Sequence, residues 1–194
     1  MGNALTIGID EVGRGPWAGP LVAVAVCLSD QANLSGLADS KQLSPAKRTR
    51  LLRDIRQQAH AIGIGWSAPA RIDRLGLGAS TGRAMRAAWS QLPSEHGKRT
   101  VYIDGDTDFL ADIASPTQCV PRGDQQESAI SAASIVAKVA RDRFMQTCAE
   151  IFPGYGFEAH VGYGTAQHKA ALSRLGPCAL HRYSFSPVKR VSNK

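Results

Sequence analysis

Two apolar segments near the start of the chain constrain the fold most, because the connection between them is too short to hold a helix. Residues 5–10 alternate apolar residues with Thr6 and Gly8, and residues 21–28 form a continuous, Val-rich apolar run. The first pattern is typical of a β-strand, and the second of a strand buried on both faces. Parallel strands need a crossover of about a dozen residues or more, so the turn-rich residues 13–20 predict an antiparallel pair.

Further strand and helix patterns alternate along the rest of the chain. Short strands are predicted at residues 61–68, 100–104 and 117–121. Helices are predicted from Ser44 as N-cap with Pro45 at the first helical position, over residues 69–92 with three interrupting glycines, over 127–149, and over 165–175. Strands that come first and then alternate with helices predict an α/β fold in which helices flank a mixed β-sheet.

The chain is basic. Its 194 residues fit one domain, and 23 Lys and Arg against 16 Asp and Glu give a net charge of +7. A basic protein attracts polyanions, so nucleic acid is the leading partner class, although a charged surface can equally serve solubility alone. Residues 188–194 are polar and basic, and we expect them to form a loose tail.

Cysteine usage and hydropathy indicate where such a chain works. The four cysteines are far apart and form no C-x-x-C pair: Cys27, Cys119, Cys148 and Cys178. We therefore expect free thiols, without disulfides or zinc sites, and a reducing, cytoplasmic location. No apolar run approaches the roughly 18 residues that a membrane span needs, so no membrane association is expected.

Four acidic residues stand where predicted elements begin or end. Asp10 and Glu11 follow the first strand. Asp104 ends the strand at 100–104, and Asp124 opens the strongest helix. The ends of strands are where a sheet brings distant residues together, and carboxylate oxygens are the ligands that Mg²⁺ and Mn²⁺ prefer. The four acids therefore form a candidate metal site.

Simpler roles for the same acids stay open at this point. Asp10 and Glu11 would face opposite sides of a continuous strand, so they share a site only if the strand ends or bulges there. Asp124 and Glu127 match a D-x-x-E capping box, which would explain Asp124 without a metal. Position alone does not rank Asp104 above three acids that follow it: Asp106, Asp108 and Asp112.

Longer motifs surround these acids. They are D-E-V-G-R-G at residues 10–15, D-S-K at 39–41, D-G at 104–105, A-A-S-I-V-A-K at 132–138, R-D-R at 141–143, G-Y-G-T at 162–165 and H-R-Y-S-F at 181–185. Together they resemble the ribonuclease HII (type 2 ribonuclease H) family, and the resemblance covers nearly the whole chain. The motifs at 10–15 and 132–138 are long and specific.

The resemblance implies a ribonuclease H-like fold that forms one catalytic unit over residues 1–194, with a C-terminal helical extension at about 150–187. It implies hydrolysis of the RNA strand of RNA–DNA hybrids and cleavage 5′ to single ribonucleotides in duplex DNA, leaving 3′-hydroxyl and 5′-phosphate ends. The enzyme is expected to act as a monomer with two Mg²⁺ or Mn²⁺ ions. The implied catalytic residues and metal ligands are Asp10, Glu11, Asp104 and Asp124.

The resemblance also implies which residues meet the substrate. Gly13, Arg14 and Gly15 would contact the ribose 2′-hydroxyl, the group that distinguishes RNA from DNA. Tyr163, between two glycines, would pack against the deoxyribose that follows the ribonucleotide. Two lysines are candidate phosphate contacts, Lys41 and Lys138.

The chain departs from the family pattern at two positions, and two other functions remain possible. The chain has Gly76 where the family usually has Asn, and Gln126 where Lys is common. A related nuclease on the same fold, such as a resolvase, would share the acids but not the D-E-x-G-R-G and G-Y-G-T pair. A non-catalytic nucleic-acid-binding domain would gain nothing from the acids, because they repel phosphate unless a metal neutralises them.

Three histidines complete the candidate residues: His160, His168 and His181. Their spacing is not typical of zinc ligands. His168 is expected on the last helix, as a packing or surface residue.

Overall fold

Five strands form one mixed sheet in the computed structural model, which describes residues 4–37, 43–93, 99–114 and 116–192. The strands are β1 (Leu5–Val12), β2 (Leu21–Ser29), β3 (Ala61–Ser67), β4 (Arg99–Asp104) and β5 (Thr117–Val120), in the order β3-β2-β1-β4-β5. β2 is antiparallel to β1 and β3, and β4 is parallel to β1 and β5. The predicted mixed sheet and its antiparallel first pair are confirmed.

Seven helices are described: α1 (Pro45–Gln58), α2 (Pro69–Leu75), α3 (Leu77–Trp89), α4 (Ser128–Ile151), α5 (Phe157–His160), α6 (Ala166–Leu175) and α7 (Ser186–Ser192). α1 begins as predicted, because the side chain of Ser44 accepts a hydrogen bond from the Lys47 N–H at 3.3 Å. The predicted helical region at 69–92 is two helices. They are separated at Gly76, whose φ of +78° is in the region that favours glycine.

Each face of the sheet has its own apolar core. α3 packs with α2 on the face that carries Ile7 and Ile9 of β1. α1 and α4 pack on the opposite face, against Val22, Val24 and Val26 of β2. β2 is therefore buried on both sides, as its continuous apolar run predicts. Each buried Val or Ile stabilises the fold by about 1.5–3 kcal/mol relative to exposure.

A glycine lets α4 lie directly against the central strand. A Cβ at Gly8 of β1 would lie 2.0 Å from the carbonyl carbon of Ala129, so no side chain fits between the two elements. Side chains alternate along a strand, so Asp10 is on the same face as Gly8 and under α4. This close packing fixes the distance between the end of β1 and the first turns of α4.

The C-terminal extension packs against the connection between β1 and β2. Its core joins Met145 of α4 with Phe157 of α5, Leu180 and Ala18, all buried. The expected loose tail from residue 188 is wrong as far as Ser192, since α7 is helical there and Val188 is fully buried. Burial of Val188 and backbone hydrogen bonds from Val188 and Lys189 to the carbonyl of Phe185 hold this short basic segment.

Two further sequence expectations concern chemistry and membranes. All four cysteines are free, as predicted, and Cys27 and Cys148 are buried. Within the described ranges, no helix combines the length and the apolar character that crossing a membrane requires.

Candidate active site at the end of the central strands

A cavity of about 580 Å³ opens where β1 and β4 end. It brings together all the predicted site residues except Lys41, which lies outside the described residues: Asp10, Glu11, Gly13, Arg14, Gly15, Asp104, Asp124 and Tyr163. Arg48, Ser134 and Lys138 line it as well. Sequence reasoning singled out Lys138 but missed Arg48 and Ser134. Ser134 lies in the A-A-S-I-V-A-K motif, but the motif does not show that its side chain bonds to Asp10.

The strand β1 runs without interruption through both of its acids. Asp10 pairs with Val24 and Glu11 with Ala23 in regular register, so the expectation that the strand ends or bulges there is wrong. The two residues share the cavity because the pairing of β1 with β4 stops at Ile9. Beyond that point the edge of β1 is open, and the two carboxylates approach the cavity from opposite faces of the sheet.

Burial and charge repulsion raise the pKa of both acids. Burial, then the carboxylates of Glu11 and Asp104, raises the pKa of Asp10 well above its ordinary value, against a hydrogen bond from Ser134. Burial also raises the pKa of Glu11, although Arg14, whose guanidinium lies 3.3 Å from its carboxylate, opposes the rise. A cation placed among these groups would stabilise their ionised forms, because the protein alone does not balance the charge.

The structure distinguishes Asp104 from the acids that follow it. Its Oδ1 accepts a hydrogen bond from the Gly123 N–H at 2.7 Å, which ties the end of β4 to the turn after β5. The other three acids bond to groups in the segment 106–117 or on α3, and they do not line the cavity: Asp106, Asp108 and Asp112. Asp104 is therefore the carboxylate that β4 contributes.

Asp124 does not cap α4. It lies in a 3₁₀ turn, Gly123–Gln125, and the N-cap of α4 is Glu127, whose side chain makes no capping bond. The expectation that Asp124 opens the helix as part of a capping box is wrong, because Arg122 adopts a left-handed φ of +57° and inserts an extra turn before the helix. The turn places Asp124, which is only 7% exposed, in the wall of the cavity.

The donor set fits a hard divalent cation. Four carboxylates line one cavity, two of them almost fully buried, and oxygen ligands of this kind suit Mg²⁺ and Mn²⁺. In the parts of the chain that the structure describes, no three potential ligands are already close enough to form a complete metal site. The cavity thus has the carboxylates that a metal site needs, but they are farther apart than the ligands of a bound ion.

Two buried arginines, which sequence reasoning missed, hold the loop at 13–20. The guanidinium of Arg141 donates to the carbonyls of Pro20, Ala18 and Val161, and that of Arg182 to the carbonyls of Gly13, Arg14 and Gly19. Both are fully buried, and burial together with the charge of Arg141 lowers the pKa of Arg182 to about 9. Their motifs contribute to the family resemblance, but a sequence does not show which arginines are buried.

The two loop glycines have different surroundings. Gly13 has a φ of +91°, and a Cβ there would lie 2.5 Å from Nε of Arg141. Gly15 has no other heavy atom within 4 Å of the Cβ position, so it faces open space at the cavity. Of Gly13 and Gly15, it is Gly13 that the fold of the loop itself requires.

Tyr163 lies between α5 and α6, lines the cavity and is 41% exposed. The guanidinium carbon of Arg141 is 5.9 Å from the ring centroid, within the range of a cation–π interaction. The backbone is held on both sides, because the Tyr163 N–H donates to the carbonyl of His160 and its carbonyl contacts Nδ1 of His168 at 2.9 Å.

The two positions that depart from the family pattern have local roles outside the cavity. Gly76 separates α2 from α3. The side-chain amide of Gln126 donates to the carbonyls of Pro121 and Arg122 and so fastens the turn that carries Asp124. Neither residue lines the cavity.

Comparison with known proteins decides the family. The family model described as Ribonuclease HII matches residues 7–188. The chain belongs to the ribonuclease HII family. A ribonuclease HII of Maricaulis maris (strain MCS10) is 46% identical over 190 residues, which cover 97% of this chain and 85% of the relative.

Solved structures show the same fold as this ribonuclease HII family member. The ribonuclease H2 of Pyrococcus horikoshii OT3 superimposes with a TM-score of 0.79 at 24% identity and covers 97% of both chains. The Bst-RNase HIII structure in complex with Mn²⁺ superimposes with a TM-score of 0.74 at 20% identity, over 99% of this chain and 70% of that one. The predicted ribonuclease H-like fold is confirmed.

Family membership also settles the class of activity. The chain is a ribonuclease H, an endonuclease that acts on the RNA of RNA–DNA hybrids. The alternatives of a resolvase-like nuclease and of a non-catalytic binding domain are therefore set aside.

Proposed function

We propose that this ribonuclease H cuts 5′ to single ribonucleotides embedded in duplex DNA as well as within RNA–DNA hybrids, and so contributes to removing misincorporated ribonucleotides. The observation that carries the proposal is that one cavity contains the four acids, the loop at 13–15 and Tyr163. Groups able to hold metal ions are thus adjacent to groups able to recognise a ribose and the sugar that follows it.

The four acids would hold two Mg²⁺ or Mn²⁺ ions. Such a pair supplies an activated water and stabilises the charge of the departing 3′ oxygen, so products with 3′-hydroxyl and 5′-phosphate ends are expected. Ser134 orients the Asp10 carboxylate from α4, while Glu11 approaches from the other face of the sheet. The acids act as ligands, and no side-chain nucleophile is required.

The loop at 13–15 would read the 2′-hydroxyl. Arg182 binds the carbonyls of Gly13 and Arg14, which fixes their peptide planes, and the open space at Gly15 lets a sugar approach the backbone closely. Tyr163 would pack on the deoxyribose that follows the ribonucleotide, and its exposed ring leaves the face available. A contact between Lys41 and a substrate phosphate stays a prediction.

Charge and thiol chemistry support the remaining expectations. The net charge of +7 favours binding to a duplex, and the four free cysteines are compatible with a reducing cytoplasm. We expect the protein to act there as a monomer.

A cleavage assay tests the proposal. A 5′-labelled DNA duplex with one central ribonucleotide is incubated with the protein in Mg²⁺, in Mn²⁺ and in EDTA, beside an all-DNA duplex and a long RNA–DNA hybrid. The expected result is a single metal-dependent cut 5′ to the ribonucleotide, with a product that a DNA polymerase extends. Cleavage of the hybrid without cleavage of the single-ribonucleotide duplex would restrict the activity to hybrids.

A further inference from the structure

Three buried histidines lie directly behind Tyr163. His160 of α5 is 6% exposed, His168 of α6 is fully buried, and His181 is 1% exposed. The rings of His160 and His168 stack with centroids 4.4 Å apart, and those of His168 and His181 are 5.2 Å apart. His168 is therefore a buried member of a ring cluster that does not line the cavity, and the catalytic proposal assigns this cluster no role.

A chain of hydrogen bonds crosses the cluster and ends on Tyr163. The Cys178 N–H donates to Nδ1 of His181 at 2.9 Å. Nε2 of His181 is 3.1 Å from Nε2 of His168. Nδ1 of His168 is 2.9 Å from the carbonyl oxygen of Tyr163. Each contact has the length of a normal hydrogen bond.

Only one arrangement of protons satisfies this chain. A backbone N–H can only donate, so Nδ1 of His181 accepts and carries no proton in the neutral ring. The proton of His181 is therefore on Nε2 and is donated to Nε2 of His168. That leaves the proton of His168 on Nδ1, where it is donated to the carbonyl of Tyr163.

The chain works only while both rings are neutral. A second proton on either ring would point a hydrogen at a group that is itself a donor. Burial lowers the pKa of His168 and lowers that of His181 to about 4, so both rings are neutral at physiological pH. His160 makes hydrogen bonds of its own, since its Nδ1 accepts from the Gly162 N–H at 3.2 Å and its Nε2 is 2.9 Å from the carbonyl oxygen of Tyr155.

We propose that His168 and His181 are positioning residues for Tyr163, which they hold through this oriented relay so that its ring faces the substrate. The inference rests on the proposed contact between Tyr163 and the deoxyribose. The carbonyl of Tyr163 also accepts from the Thr165 N–H at 2.8 Å, so the relay adds a bond from α6 to an anchor that already has one bond within the loop.

Two substitutions at one position separate the relay from simple packing. The side-chain amide nitrogen of Asn replaces Nδ1 of histidine, whereas that of Gln replaces Nε2. His168→Asn keeps a donor to the carbonyl of Tyr163, and His168→Gln removes it while filling more of the space. The substrates are a duplex with a single ribonucleotide and a long RNA–DNA hybrid, and the readout is the ratio of kcat/KM on the first to that on the second.

We expect His168→Gln to lower this ratio about fivefold to tenfold, as the loss of one hydrogen bond does, mainly through a higher KM for the single-ribonucleotide duplex. His168→Asn should restore most of the ratio. A purely structural role predicts the opposite order, because Asn leaves the larger cavity, and that result would overturn the proposal. Equal ratios in both variants and the wild type would overturn it as well.

A Tyr163→Ala background distinguishes failure of the relay from failure of the proposed function. If the relay acts through Tyr163, His168→Gln lowers the ratio no further in that background. If Tyr163→Ala lowers the ratio but His168→Gln does not, the relay is wrong and the role of Tyr163 stands. If Tyr163→Ala leaves the ratio unchanged, the contact with the deoxyribose is wrong and the relay has nothing to position.

A second pair of variants is used if the His168 variants fail to fold. His181→Gln keeps a donor at the Nε2 position and His181→Asn loses it, so the two give the same comparison.

Discussion

Arg182 donates from Nη2 to the carbonyl of Gly13 at 2.6 Å, and 169 positions of sequence separate the two residues. The same guanidinium binds the carbonyls of Arg14 and Gly19. The loop that follows the two acids of β1 is therefore shaped by the C-terminal extension. The C-terminal extension contributes none of the four acids, but it holds the loop beside them. Removing the extension is therefore expected to release the loop.

Arg182→Lys should weaken both the fold and substrate binding. A lysine keeps the charge, but its ammonium cannot reproduce the planar fork that reaches three carbonyls. Leaving buried carbonyls without a donor costs about 1–3 kcal/mol each, so we expect a loss of about 2–4 kcal/mol in the free energy of unfolding. The measurements are urea unfolding and the KM for the single-ribonucleotide duplex.

The matched control is Arg190→Lys, an exposed position on α7. It should change neither quantity. Wild-type stability and KM in Arg182→Lys would show that the hydrogen bonds to the loop are dispensable.

Asp10→Asn should abolish cleavage without weakening the fold. Metal catalysis supplies several kcal/mol of transition-state stabilisation, and each 1.4 kcal/mol is about tenfold in rate, so a loss of at least about a hundredfold is expected. Burial raises the pKa of Asp10, which means that its ionised form is disfavoured in the folded protein. A neutral amide should therefore leave the metal-free protein equally stable or more stable at pH 7.

Cleavage in Mg²⁺ and thermal unfolding in EDTA measure the two effects. Asp112→Asn is the control, because this exposed acid pairs with Arg86 and does not line the cavity. Near-normal turnover by a folded Asp10→Asn protein would contradict the assignment of Asp10 as a metal ligand.

The buried histidines predict a loss of stability in mild acid. Unfolded His181 takes up a proton near pH 6.5, while burial keeps the folded ring neutral down to about pH 4. Between these values the unfolded state binds more protons, so stability falls as the pH decreases from 6.5 to 4. His181→Gln should reduce this slope, as measured by urea unfolding across the window. Identical slopes in wild type and His181→Gln would contradict the burial of a neutral ring.

The sequence predicts those parts of the site that depend on local pattern. Asp104 is a candidate because it ends an apolar strand, although the structure was needed to rank it above Asp106 and Asp108, and the loop glycines are identified by their motif. It does not predict that Asp10 and Glu11 share a cavity across a continuous strand, because that depends on where β4 stops pairing with β1. Nor does it predict the turn at Asp124, which a left-handed residue creates just before the helix.

The supports of the site are the least predictable part. Arg141 donates to the carbonyl of Ala18, 123 positions away, and the rings of His168 and His181 meet across 13 positions. No local pattern records which polar side chain a folded core will enclose. The burial of Val188 on α7 is a further example. Such features arise only when elements distant in sequence are packed together, so the structure is needed to find them.

Gly15 gives the cleanest test of recognition by the loop. A Cβ at this position would meet no protein atom within 4 Å, so Gly15→Ala should fold with wild-type stability. If the loop backbone approaches the ribose closely, the added methyl lies where the sugar must sit, and cleavage should fall on every substrate. Gly13→Ala should differ, because the positive φ of Gly13 and its contact with Arg141 should make this variant unstable even without substrate.

The control is Gly78→Ala on α3, which also faces open space and should cleave normally. Unchanged kcat/KM in a stable Gly15→Ala protein, on both the single-ribonucleotide duplex and the hybrid, would show that recognition of the 2′-hydroxyl lies elsewhere in the cavity.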